Sequence, residues 1–85
     1  MTEYLITFPD THSMIKSEVA LKEKGIAFRS MPLPATLGDS CGFCLRVWQD
    51  SLEKSVTSLK AANIKLSGIY EISNIDGKKK YKSCL

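Results

Sequence analysis

Six short apolar segments, separated by residues that stop helices or strands, restrict this chain more than any single motif does. Tyr4-Leu5-Ile6-Thr7-Phe8 is an apolar run halted by Pro9-Asp10, which predicts a first strand. Asp10 and Thr11 offer helix-capping oxygens, and nothing breaks a helix from there to Gly25. Helical spacing puts Met14, Ile15, Val19 and Leu21 on one arc, with Glu18 and Lys22 as an i,i+4 surface pair at its edge. Ile26 to Met31 predicts a second strand ended by Pro32-Leu33-Pro34, and residues 35–42 predict a loop. Phe43, Leu45 and Val47 alternate with Cys44, Arg46 and Trp48 at the period of a third strand. Asp50 and Glu53 form a capping box ahead of Leu52, Val56 and Leu59, predicting a second helix that Asn63 closes. Gly68 to Ile75 predicts a last strand, and Asp76-Gly77 a turn.

The order β-α-β-β-α-β has a compact α+β solution, the ferredoxin-like sandwich. Two helices then cover one face of a four-stranded antiparallel sheet whose central neighbours are the first and third strands. In that topology the turn from the first strand to the first helix shares one end of the sandwich with the start of the third strand. Cys41 and Cys44 are thereby expected near His12 and the positive end of the first helix, where a thiolate is favoured.

The chain carries twelve basic and nine acidic residues, but Lys78, Lys79, Lys80 and Lys82 all fall in the last nine positions. Residues 1–76 hold eight bases against nine acids, so the basic balance belongs to a segment at 77–85 rather than to the domain at 1–76. That segment reads as a solvated tail or as a weak contact for an acidic partner. No spread of arginines and aromatics argues for nucleic acid, no apolar run is long enough to span a membrane, and no secretory signal is evident. An odd cysteine count in such a chain argues for reduced thiols and a cytoplasmic location.

Ser40-Cys41-Gly42-Phe43-Cys44 is the one stretch that promises chemistry. Two cysteines three apart can form a small disulfide, contribute to a metal site, or pair a nucleophile with a resolving thiol; they can also be simple packing residues. With His12 the only histidine and no second C-x-x-C, a four-ligand zinc site is short of donors, and no cofactor or metal is implied. A copper-chaperone reading fails because the position between the first strand and first helix holds Pro9-Asp10-Thr11-His12. A thioredoxin-like alternative stays open, with Cys41 to Leu59 as one long helix. It would waste the capping box, and no proline follows Pro34 to stand opposite the motif. Arg46 offers an anion contact, Trp48 and Tyr70 read as packing residues, and no triad, P-loop or carboxylate pair supports a stand-alone enzyme.

Three segments in order carry a resemblance: Tyr4-Leu-Ile-Thr-Phe-Pro-Asp-Thr11-His12, Lys22-Glu-Lys-Gly25-Ile26, and Ser40-Cys41-Gly42-Phe-Cys44-Leu-Arg46-Val47. Over about residues 3–75 the chain resembles the selenium/sulfur (Se/S) carrier-like family of short bacterial proteins. In these a threonine–histidine pair opens the first helix, and a serine–cysteine–glycine segment precedes a strand ending in arginine. The resemblance implies that Cys41 transiently holds sulfur or selenium as a persulfide or selenosulfide, with Thr11, His12, Gly42 and Arg46 around it. It also implies a donor enzyme such as a cysteine desulfurase, and an acceptor protein. Cys44 departs from the family pattern, in which a small residue is expected. A dithiol role, a CxxC thiol–disulfide redox protein and a non-enzymatic interaction module therefore all remain open.

Overall fold

A computed structural model describes residues 2–34, 37 and 42–84. Strand β1 (Glu3–Thr7) leads into helix α1 (Thr11–Glu23), followed by β2 (Arg29–Pro32), β3 (Phe43–Trp48), helix α2 (Gln49–Ala61), β4 (Gly68–Ile75) and β5 (Lys78–Ser83). The strands form one five-stranded sheet in the order β2-β3-β1-β4-β5, antiparallel at every step. Among the described residues the architecture is thus α+β with two α-helices, and β1 and β3 are neighbours in the middle of the sheet. The strand count is five where four were expected. The proposed long helix through Cys41 and Cys44 is overturned, because Phe43–Trp48 is strand.

Alternation along the central strands sorts residues between two faces. Ile6, Leu45 and Val47 turn towards the helices and join Phe8, Met14, Leu21, Leu59 and Ile64 in one core. Leu5, Thr7 and Cys44 face the opposite way, yet all three are buried. Part of the reason is Tyr70, whose ring lies so close over Gly68 that a β-carbon there would come within 2.9 Å of Cε1. Gly68 pairs with Thr7, whose hydroxyl donates to the Gly68 carbonyl at 3.3 Å.

Helix α1 sits in a different rotation from the one its apolar residues suggest, whereas α2 keeps the expected Leu52–Leu59 side towards the core. In α1 the buried residues are Met14, Ser17 and Leu21, spaced i, i+3, i+7, while Ile15 and Val19 are each 53% exposed. In α2, Ser55 and Leu59 are buried, with Leu52 packed against the core. Ser17 and Ser55 tolerate full burial because each hydroxyl donates to a carbonyl one turn back, Ser13 at 2.8 Å and Ser51 at 2.7 Å. Glu18, expected to answer Lys22, instead accepts a hydrogen bond from the Ser30 hydroxyl at 2.6 Å, tying α1 to β2.

The start of α2 also departs from expectation. The Asp50–Glu53 capping box is unused; Trp48 is the N-cap and makes no side-chain capping bond. The Gln49 N–H donates to the Thr2 carbonyl at 2.9 Å, so β3 passes directly into the helix. Asp50 then lies in the first turn, where its charge complements the helix dipole. Strand β2 starts at Arg29 rather than Ile26, but Ile26 and Phe28 still pack against the core. Pro32 pairs with Phe43 on this edge strand, where a missing donor is tolerated.

Residues 78–83, read as part of a basic tail, are β5, which pairs with β4 from Tyr70↔Ser83 to Ile75↔Lys78. The hairpin turns at Asp76 and Gly77, both with positive φ (51° and 76°), the signature of a two-residue type I′ turn. Lysine at alternate positions of this outer strand guards a free sheet edge against pairing with other chains. The turn is the weakest link in the added strand. Gly77→Ala, which forces a side chain into left-handed backbone, is expected to cost about 1 kcal/mol. A lowered thermal midpoint checks this; an unchanged one would show that β5 contributes nothing to the fold's stability.

Candidate functional site

The β1–β3 register builds the end of the sheet where the sequence places its chemistry. Thr7, the last residue of β1, pairs with Cys44, the second residue of β3. The chain leaves β1 through Phe8, Pro9 and Asp10 into α1, so Gly42 and the first turn of α1 lie towards the same end of the sheet. Gly42 has φ of 81°, a conformation that L side chains rarely adopt, and its carbonyl accepts from the Leu33 N–H at 3.0 Å. Thr11 and His12 are exposed on the first turn of α1. Ser40 and Cys41, which carry the carrier chemistry in the sequence reading, lie outside the described residues, as does most of the expected 35–42 loop.

Cys44 has no solvent-exposed surface. Its β3 position alternates with the helix-facing Leu45, and its strand partners are Thr7 on one side and Met31 on the other. A thiol so placed cannot meet an external disulfide or persulfide without local opening of β2 or β3. Cys84, by contrast, is exposed at the far side of the sheet, donating weakly to the Lys82 carbonyl at 3.6 Å. Near it the Tyr4 hydroxyl has a raised pKa, first through burial and then through the negative charge of Glu71.

The electrostatics of the α1 tip differ from what an isolated helix end provides. Asp10 is the N-cap, and its carboxylate accepts from the Ser13 N–H at 2.7 Å. Hydrogen bonds from the Ser13 backbone and hydroxyl hold the Asp10 carboxyl below its usual range, helped by the nearby positive charges of His12 and Lys16. The positive end of α1 is therefore already facing a carboxylate.

Arg46 is not part of this group. It lies four residues along β3 from Gly42, about 13 Å of strand, and its guanidinium pairs with the Glu3 carboxylate. Both side chains are only partly exposed, at 24% and 18%. The structure thus divides the predicted site residues in two: Thr11, His12, Gly42 and Cys44 towards one end of the sheet, Arg46 towards the other. Sequence reasoning missed Glu3 and Arg29 as companions of Arg46, because only strand register reveals them. Among the described residues no three His, Cys, Asp or Glu side chains cluster to hold a metal ion, and no helix is long and apolar enough to cross a membrane.

Comparison with known proteins gives one finding. The family profile described as Putative Se/S carrier protein-like matches residues 3–71, which include β1 through the first half of β4. No curated protein and no solved structure matches significantly.

The cap makes a pH-dependent prediction. Because the folded Asp10 carboxyl titrates lower than the unfolded one, its contribution to stability is complete above an unfolded pKa of about 3.9 and is lost as pH falls through the folded value. Asp10→Ala is expected to lower the urea midpoint at neutral pH, with the gap from the unmodified protein narrowing as pH falls below the ordinary aspartate range. A gap that stays constant with pH would show that the carboxylate charge plays no part.

Proposed function

We propose, from the premise that the chain belongs to the family of putative Se/S carrier protein-like domains, that it carries sulfur or selenium on Cys41 for delivery to an acceptor protein. In this reading β1 to β4 with the two helices form a ferredoxin-like sandwich, and β5 adds an outer strand. The observation that carries it is the family match over residues 3–71, and the placement of Gly42, His12 and Thr11 towards one end of the sheet supports it.

The transfer is a thiol exchange that balances without any outside oxidant or reductant. The Cys41 thiolate attacks the outer sulfur of a donor enzyme's cysteine persulfide. A new sulfur–sulfur bond forms on Cys41, the donor's own sulfur–sulfur bond breaks, and the donor cysteine leaves as a thiolate that takes up a proton. Repetition of the same exchange, with an acceptor's thiolate attacking the Cys41 persulfide, delivers the atom and restores the Cys41 thiolate. The selenium version differs only in the atom passed. A cysteine desulfurase has the chemistry of a suitable sulfur donor, and the reaction suits a reducing cytoplasm in which thiols persist.

Within this reading each neighbour has a task. Glycine at position 42, already in a left-handed conformation, keeps bulk away from the residue before it. His12, exposed on the first turn of α1, is the candidate proton donor for the exchange. Asp10 caps the same turn, so its carboxylate is part of the charge that a donor persulfide approaching this end of the sheet meets. Cys44 packs the sheet and takes no direct part. Its burial favours a carrier with one working thiol over a dithiol redox protein.

Incubation with a cysteine desulfurase and free cysteine, followed by intact-mass and peptide mass spectrometry, is expected to show one added sulfur atom on Cys41. Cys41→Ser abolishes the adduct, whereas Cys44→Ala leaves it in place. Absence of any adduct, or an adduct insensitive to Cys41→Ser, overturns the carrier reading; loss of it in Cys44→Ala with the fold intact transfers the role to the cysteine pair.

A further inference from the structure

We propose that the cleft on the helix-free face between β2 and β3 is an oxyanion-binding site, in which Arg29 and Arg46 hold one phosphate or carboxylate group beside the Trp48 indole. Arg29 and Arg46 are direct cross-strand partners. Their side chains rise from the same face with β-carbons about 5 Å apart. They are the chain's two arginines, and two like charges placed opposite each other disfavour the pairing they sit on. Glu3 relieves one of them through its pair with Arg46. Among the described residues no carboxylate pairs with Arg29, so the cluster keeps an excess of one positive charge.

The surroundings are those of a ligand site and not of a flat surface. Glu3, Phe28, Arg29, Arg46 and Trp48 contribute to the walls of a cleft of about 470 Å³, within the range of small-molecule sites. Trp48 lies two residues beyond Arg46 on the same face of β3 and is 44% exposed, so its ring presents an apolar wall beside the guanidinium groups. Arginine's planar fork of N–H donors matches the paired oxygens of phosphate or carboxylate, which a lysine ammonium matches only as a point charge. Glu3 holds Arg46 in place and limits the net charge of the site, which suits a single anionic group rather than a polyanion. The site stands on the β2–β3 register and is independent of the sulfur-carrier reading.

The test is an NMR titration of the full chain with inorganic phosphate, and separately with acetate, at constant ionic strength set by chloride. Saturable shifts are expected in the Arg29 and Arg46 Nε–H signals and in the indole N–H of Trp48, the protein's one tryptophan. Arg29→Gln, at an exposed position of an edge strand, is expected to keep the unmodified protein's thermal midpoint and to weaken binding about tenfold or more, the worth of a charge-assisted hydrogen bond. Arg29→Lys should lose less. Tighter binding of phosphate or of acetate identifies which oxyanion the site prefers. Shifts that do not saturate with either anion, or an affinity unchanged in Arg29→Gln, overturn the proposal and leave Arg29 as a solvated edge residue.

Discussion

The antiparallel pairing of β1 with β3 is the constraint on which the rest depends. Its register, from Glu3↔Trp48 to Thr7↔Cys44, places Ile6 beside Leu45 and so gives both helices one apolar surface to cover. It also delivers Trp48 to the level of Glu3, where the Thr2 carbonyl takes the Gln49 N–H and starts α2 without a loop. A slip of one residue would turn Leu45 and Val47 away from the helices and bring Cys44 and Arg46 beneath them. Burying an arginine in that core would be prohibitive without its carboxylate partner, so the hydrophobic pattern and the Arg46–Glu3 pair enforce the same alignment.

That register sets up two chemically different ends. At one, the start of β3 meets the exit of β1 and the capped tip of α1, a neighbourhood of exposed Thr11, His12 and Gly42. At the other, Glu3, Arg46 and Arg29 form a charged row flanked by Trp48. The separation follows from strand geometry: residues four apart along β3 cannot serve one small site, however close they stand in sequence. The Cys41–Arg46 segment is contiguous as a motif, yet its arginine belongs to a different part of the sheet from the glycine beside Cys41.

Much of this architecture was legible from the sequence because its signals are local. Pro9-Asp10, Gly25 and Asn63 punctuate the elements where they predict, and Asp10 caps α1. Phe43–Trp48 is a strand with the bounds that its alternation implies. What escaped were features decided by tertiary contacts. Ile15 and Val19 belong to an arc that composition favours, but satisfied serines at 17 and 55 pack inward instead, since a small hydroxyl bonded to its own helix costs little to bury. The Asp50 capping box is a sound local signal overruled by a backbone bond from Gln49 to Thr2, a partner too distant along the chain for any local window to show. The lysines of β5 look like a solvated tail because a strand at a sheet edge needs only backbone partners, and β4 supplies them.

Thr11, His12, Gly42 and Cys44 fall towards one end of the sheet as the element order implies, but the electrostatics of the α1 tip were not legible in the sequence. A helix N-terminus and a histidine suggest strong thiolate stabilisation when counted separately. The capping carboxylate of Asp10 changes that sum, because the residue that lets α1 begin is also the one that answers its dipole. For sulfur transfer this moderation is useful. A thiol whose pKa is driven very low is almost fully ionised but a poor nucleophile, while one left near its ordinary value is a good nucleophile but mostly protonated. The exchange runs fastest when the pKa lies near the ambient pH. In the carrier reading, the carboxylate that caps α1 also sets the charge that an approaching thiolate would meet at the helix tip.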